Sequence, residues 1–199
     1  MTPFRVRSLF SFAALLAAVG CGGGGGNGAP ADAAKSLDER VRVNQIQVRG
    51  THNSYHVQPA IPFDASHCYT HAPLDVQLED QGVRAFELDV HWSAGAGEVE
   101  VYHLGLIDQQ TTCKRLRDCL GTIDAWSDGR PTHLPIFVWI EVKDQYGGQR
   151  FANLDPVDAA FRDAFGAKLL TPDEVQGDAP TLREAIETRG WPTLAEARG

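Results

Sequence analysis

Four short segments of this chain carry side chains of the kind that hold cations or move protons. RGTHNSYH contains His52 and Asn53, FELDVHW contains Glu87 and Asp89, VEVYHL ends on His103, and IFVWIEVK contains Glu141 and Lys143. Three carboxylates and an amide oxygen form a hard-oxygen set suited to Ca²⁺ or Mg²⁺. Calcium is favoured, because it accepts irregular oxygen cages where magnesium demands near-octahedral geometry. Zinc is disfavoured, since no C-x-x-C pair and no His-rich or Cys-rich run is present. The two histidines lie outside the oxygen set, and imidazole is the side chain best suited to pass protons near neutral pH.

Each feature has an ordinary explanation when taken singly. A Glu-x-Asp pair is commonly a solvated strand face, and a histidine at a strand end is commonly a hydrogen-bonded structural residue. Lys143 can simply pair with a neighbouring carboxylate, and His56, His67, His71 and His133 have no spacing that separates them from loop histidines. The coincidence carries the weight: apolar strands bear acids on one parity, and buried like charges are costly unless a cation gathers them.

The elements that must position these residues follow from periodicity. VNQIQV, VRAFELDVHW, VEVYHL and PIFVWIEVK read as strands; PLDVQLEDQG, DPVDAAFRDAFG, TLREAIETRG and PTLAEARG read as helical. A β-then-α order predicts a parallel sheet, open or closed into a barrel. Along FELDVHW, Phe86, Leu88 and Val90 share one face while Glu87, Asp89 and His91 share the other. The polar groups then gather at strand carboxyl ends, where parallel α/β folds hold their ligands. Gly50 is expected to supply the turn that brings His52 and Asn53 over that end.

The 199 residues, with a formal charge of −8, fit one globular domain and disfavour a nucleic-acid polyanion as partner. Arg5 and Arg7 precede the apolar run LFSFAALLAAV, and Gly20 and Cys21 follow it, which is the order of an export signal over residues 1–20. AAVGC resembles the lipobox of bacterial lipoproteins, implying acylation of Cys21 and a membrane lipid anchor; a plain secretory signal cut nearby is the alternative. Residues 21–36 read as a Gly-rich tether, leaving 37–199 as the folded part. Cys113 and Cys119 are close enough to close a small loop in an oxidising compartment, and Cys68 is left over.

GTHNSYH, FELDVHW, VYHLG and WIEVKD, in that order, resemble the catalytic half of the phosphatidylinositol-specific phospholipase C superfamily, in particular its calcium-dependent bacterial type. The resemblance covers residues 41 to 199 and implies an α/β fold, a TIM-like (β/α) barrel with its site at the carboxyl-terminal mouth. It further implies His52 and His103 as the catalytic pair, Asn53, Glu87, Asp89 and Glu141 as calcium ligands, and Lys143 as a contact to substrate phosphate. His52 is expected to act as base and His103 as acid, with the reverse assignment, or a ligand carboxylate as base, left open. Glycerophosphodiesterases share the histidine and Glu-x-Asp logic but typically begin with His-Arg-Gly, where this chain has Arg-Gly-Thr-His.

A complete barrel takes about 250 residues, whereas 163 follow Ser36. The expectation is therefore the amino-terminal half of a calcium-dependent phosphodiesterase acting on a phosphoinositide-type lipid or its head group. A glycerophosphodiesterase-like enzyme, or a truncated lipoprotein that only binds a phosphorylated ligand, are the alternatives.

Overall fold

The computed structural model describes residues 36–143 and 150–199. The expected export signal, most of the tether and Cys21 lie outside the described residues. In chain order the elements are α1 (Leu37–Arg40), β1 (Arg49–Gly50), α2 (Leu74–Glu79), β2 (Val83–Ser93), β3 (Glu98–Val101), α3 (Leu116–Asp128), β4 (Phe137–Val142), α4 (Asp155–Phe165), α5 (Pro172–Gln176), α6 (Leu182–Arg189) and α7 (Leu194–Ala197).

β2 organises the sheet because it is long enough to pair along both edges. Ala85 pairs with Gly50 of β1 and with Phe137 of β4, and Val90 pairs with Val101 of β3 and with Val142 of β4. β1 and β3 therefore follow one another along one edge of β2, and β4 occupies the other. β1 and β4 run parallel to β2, but β3 runs antiparallel. The expectation of an all-parallel sheet is thus corrected, for a simple reason. Only Ala94, Gly95, Ala96 and Gly97 separate β2 from β3, whereas a parallel connection needs about a dozen residues or more.

Two further expectations change. VNQIQV is not a strand: Val43–Gln45 forms a short 3-10 turn, and pairing starts only at Arg49, opposite Val83 where β2 itself begins. Residues before Arg49 have no β2 residue to pair with. The helix α3 lies where no element was expected. Its buried residues Leu116, Cys119, Leu120, Ile123 and Trp126 have helical spacing, but Gly121 and a string of polar residues obscure the stripe in sequence.

Phe86, Leu88 and Val90 are fully buried and belong to the core with Leu74 and Leu78 of α2 and Leu116, Leu120 and Ile123 of α3. Burying each such side chain stabilises by about 1.5–3 kcal/mol, and together they hold β2 rigid under the opposite, acid-bearing face. A disulfide joins Cys113 to Cys119, tying the segment after β3 to the first turns of α3. Cys68 is a free, exposed thiol.

The result is a mixed α/β fold with an open four-stranded sheet. Among the described residues the sheet does not close into a barrel, and no strand pairs with the outer edge of β4.

Candidate active site

Residues 51–56 leave β1 and cross the end of the sheet. Gly50 does not supply the expected turn. A Cβ there would stand 3.1 Å from the Ala85 Cβ and 3.3 Å from its carbonyl oxygen, so glycine permits the close approach of β1 to β2. The turn falls at Asn53, whose φ of 47° lies in the left-handed region that asparagine tolerates better than most residues.

Buried polar groups fix this loop. Gln77 of α2 donates from Nε2 to the carbonyls of Ser54 (2.7 Å) and Ala72 (2.6 Å), and its Oε1 accepts from Thr51 Oγ1 (2.9 Å). Ser54 Oγ accepts from the Glu87 amide at 2.9 Å, and the Ser54 amide donates to the Glu87 carbonyl at 3.0 Å. The Asn53 amide donates to Glu87 Oε2 at 2.6 Å. Thr51, Ser54 and Gln77 thus dock the loop onto β2. Their types are ordinary in sequence, and no motif marks them.

Glu87, Asp89 and Glu141 converge, each offering an oxygen within 4.8 Å of the others. Register explains why: Asp89 pairs directly with Glu141 across β2 and β4, and Glu87 is two residues back on the same face. Asp89 is completely buried, yet neither carboxylate oxygen has a hydrogen-bond partner. Lys143 Nζ approaches Asp89 Oδ2 to 3.2 Å as an ion pair, and donates to Glu141 Oε1 at 2.6 Å.

Charge crowding shows in the acidities. Burial first, then the charge of Asp89, pushes Glu87 up to about 7, against the pull of the Asn53 amide. Burial also holds Asp89 above the usual carboxylate range, although Glu87, Lys143 and Tyr55 act against it. The hydrogen bond from Lys143 holds Glu141 below its ordinary value. Burial works against the Lys143 charge, but the hydrogen bond to Glu141 and the attraction of Asp89 outweigh it and raise that group.

These residues fit a divalent hard cation. The Asp89 oxygens are the sharpest sign, because a buried carboxylate without hydrogen bonds, crowded by two other acids and answered by the Lys143 ion pair, is costly until further positive charge arrives. Asn53 Oδ1 accepts from Tyr55 Oη at 3.1 Å while Nδ2 donates to Tyr69 Oη at 3.1 Å. One lone pair of Asn53 Oδ1 stays free for a further partner.

A second cluster surrounds Asp108, which is fully buried. Its carboxylate meets His56 Nε2 at 2.9 and 3.0 Å, His103 Nδ1 at 2.8 Å, and His67 Nδ1 at a longer 3.7 Å. His103 is placed by the β2–β3 reversal, two residues after β3 ends opposite Val90. With Nδ1–H donated to Asp108, its Nε2 is left free of that bond, and the side chain is 21% exposed, as a proton carrier needs. His52 is exposed, and its carbonyl accepts from His71 Nε2 at 3.0 Å. Tyr69 joins the two clusters, since it stacks on His56 at 4.2 Å between ring centroids and contacts Asn53.

The fold therefore brings Asn53, Glu87, Asp89, Glu141 and Lys143 together and sets His103 on Asp108 beside them. His91, on the parity of the acids, is not part of the group: it stacks on Tyr102 at 3.7 Å and donates from Nε2 to the Tyr102 carbonyl. Asp108, His56 and His67 went unmarked in sequence, because LIDQQ and the histidines around it show no periodicity or motif.

A family model described as "Phosphoinositide phospholipase C, Ca2+-dependent" matches residues 41–99 and 94–199. No curated protein matches the chain. Among solved structures, a Ca²⁺-dependent phosphatidylinositol-specific phospholipase C from Streptomyces antibioticus is similar, with a TM-score of 0.58 and 24% identity over 75% of this chain and 48% of that one. A calcium-dependent phosphoinositol-specific phospholipase C from the Gram-negative Pseudomonas sp., in apo form, gives a TM-score of 0.61 and 22% identity over 82% of this chain and 57% of that one. The myoinositol complex of the Pseudomonas protein gives 0.58 and 21%, over 82% and 59%. At these identities the likeness speaks for the fold, and the chain spans about half the length of the structures it matches.

Proposed function

Since the chain belongs to the Ca²⁺-dependent phosphoinositide phospholipase C family, we propose that it carries the calcium and histidine part of a phospholipase C site acting on a phosphoinositide-type lipid. The observation that carries this reading is the convergence of Glu87, Asp89 and Glu141 around the orphaned Asp89 oxygens. In this reading the open sheet belongs to a TIM-like barrel.

Asn53, Glu87, Asp89 and Glu141 would hold the ion. Bound there, calcium would supply charge that neutralises phosphoryl oxygens and favours ionisation of a nearby hydroxyl. The remaining steps belong to the chain. An inositol hydroxyl next to the phosphate attacks phosphorus, and exposed His52 takes its proton as the new P–O bond forms. His103, anchored through Nδ1 on Asp108, gives a proton from the ring to the glycerol oxygen as the old P–O bond breaks. Lys143, tied to Glu141 and Asp89, steadies the carboxylates and would meet a phosphate oxygen of the substrate.

The test is calcium-dependent cleavage of phosphatidylinositol by the protein carrying the whole catalytic domain. His52→Ala and His103→Ala each lower the rate by about a hundredfold or more, the usual scale for losing a general acid or base. Calcium affinity is unchanged in both. On a substrate with a nitrophenol leaving group the His103→Ala enzyme recovers much of its rate and the His52→Ala enzyme does not. Equal recovery by both overturns the division of labour. Calcium and head-group binding without any cleavage favours a protein that only binds its phosphorylated ligand.

We also read the protein as exported and held at the cell envelope through acylated Cys21, motivated by the Arg-containing start and the Gly20–Cys21 junction. Cys21→Ser should abolish incorporation of a fatty-acid analogue; unchanged labelling rejects the anchor.

A further inference from the structure

The sequence has no His-rich run, yet tertiary structure gathers three histidines on one acid. We propose that His67, His103 and Asp108, with His56 bracing Asp108 from behind, form a second metal site that takes a zinc-type divalent cation, and that this cation blocks His103.

The donor set is the first argument. Two imidazoles and one carboxylate beside an open fourth position suit zinc, whereas the neighbouring all-oxygen cage suits calcium. Spacing is the second: one ring nitrogen from each of His67 and His103 and an Asp108 oxygen all lie within 4.8 Å of one another. Tetrahedral zinc with bonds of about 2.0–2.1 Å sets its ligand atoms about 3.3 Å apart. The 2.8 Å from His103 and the 3.7 Å from His67 to Asp108 Oδ2 bracket that spacing.

His67 supplies the third argument. Its side chain is only 8% exposed, and Nδ1 has no hydrogen-bond partner although it faces Asp108. At 3.7 Å the contact is too long for a hydrogen bond, so a buried donor or acceptor is left unmatched, which a metal bond would correct.

His56 supplies the fourth. Nδ1 faces the Tyr69 carbonyl at 3.0 Å, and Nε2 faces the Asp108 carboxylate. Both partners are acceptors, and a neutral imidazole has only one N–H to donate. Donation from Nε2 to the carboxylate holds Asp108 in place, the kind of outer partner that orients a carboxylate ligand toward a metal. His103, 21% exposed, offers the way in. On binding, the cation displaces the Nδ1 proton of His103 to solvent. The ring loses its hydrogen bond to Asp108 and with it the tautomer that serves proton transfer.

The binding claim stands apart from the proposed activity; only the inhibition claim rests on it. Zn²⁺ is titrated calorimetrically into the full chain with calcium saturating, and Co²⁺ serves as the visible probe. One equivalent should bind, Asp89→Asn should leave the affinity unchanged, and His67→Ala should weaken it by at least about tenfold. His67→Gln is the second variant, retaining bulk at the buried position. No zinc binding, zinc displaced by calcium, or undiminished affinity in both His67 variants overturns the site. Should both variants misfold by circular dichroism, the wild-type cobalt spectrum decides. Strong tetrahedral absorption supports the site, and the weak spectrum of octahedral cobalt rejects it.

In the cleavage assay zinc should slow the wild type by about a hundredfold, the scale of losing a general acid, and spare His67→Ala. Zinc binding without inhibition removes the claim on His103. Zinc binding in a protein with no cleavage activity leaves the metal site standing and rejects the proposed function.

Discussion

The carboxylate cage and the Asp108 cluster share a wall at Tyr69 but are built on opposite principles. In the cage, Glu87, Asp89 and Glu141 repel one another, and Lys143 forms an ion pair with Asp89. Around Asp108, a single acid meets donors on two sides, from His56 and His103. Both Asp89 oxygens lack hydrogen bonds, while both Asp108 oxygens have them. Equal burial therefore has opposite consequences: the first carboxylate, one of three acids gathered beside Lys143, costs stability until a further cation arrives, and the second contributes to it.

Substituting the two buried acids isosterically gives the largest contrast. Asp108→Asn should lower the unfolding free energy by about 2 kcal/mol, since it removes charge-assisted hydrogen bonds to two buried or half-buried histidines. Asp89→Asn should leave the calcium-free chain as stable or more stable, because it deletes a charge that burial already disfavours. The same change should weaken calcium binding by about tenfold through loss of a charged ligand. Denaturant unfolding without calcium, with calorimetry beside it, reads both. If Asp89→Asn destabilises as much as Asp108→Asn, the two carboxylates are equivalent and the contrast fails.

A smaller effect concerns pH. Glu87 titrates at about 7 in the folded chain, above its ordinary value of 4.5. The folded state therefore holds a proton that the unfolded state has released. That contribution is fully present below the ordinary value and is lost as pH rises through about 7. Calcium-free protein should lose stability over that window, and Glu87→Gln should flatten the profile. With calcium bound the slope should reverse, because the ion binds the ionised carboxylate. Thermal unfolding between these pH values, with and without calcium, decides; an unaltered slope in Glu87→Gln assigns the titration to another group.

Much of the cage was legible because β parity is local. Once FELDVHW is a strand, Glu87 and Asp89 must share a face, and an acid-bearing strand such as IFVWIEVK presents Glu141 in the same way. Pairing Asp89 with Glu141 needed only the register of two parallel strands. His103 was identified by the residues around it, but its route was misread: the Ala94–Gly97 connection returns β3 antiparallel instead of carrying it across the sheet. The turn assigned to Gly50 belongs to Asn53, since backbone conformation at a single residue depends on what the loop docks against.

By itself, the sequence determined strand parity, an oxygen-rich ligand set suited to calcium, and the family to which the chain belongs. Those properties rest on neighbours a few residues apart, where spacing alone dictates which side chains share a face. Tertiary structure decided that Gln77 anchors the loop carrying Asn53 and that His56, His67 and His103 close on Asp108, 52, 41 and 5 residues away in the chain. It also decided that Asp89 is buried without a hydrogen bond while Asp108 is buried with several. Such outcomes depend on which distant groups burial leaves within about 3 Å, and no local pattern encodes that selection.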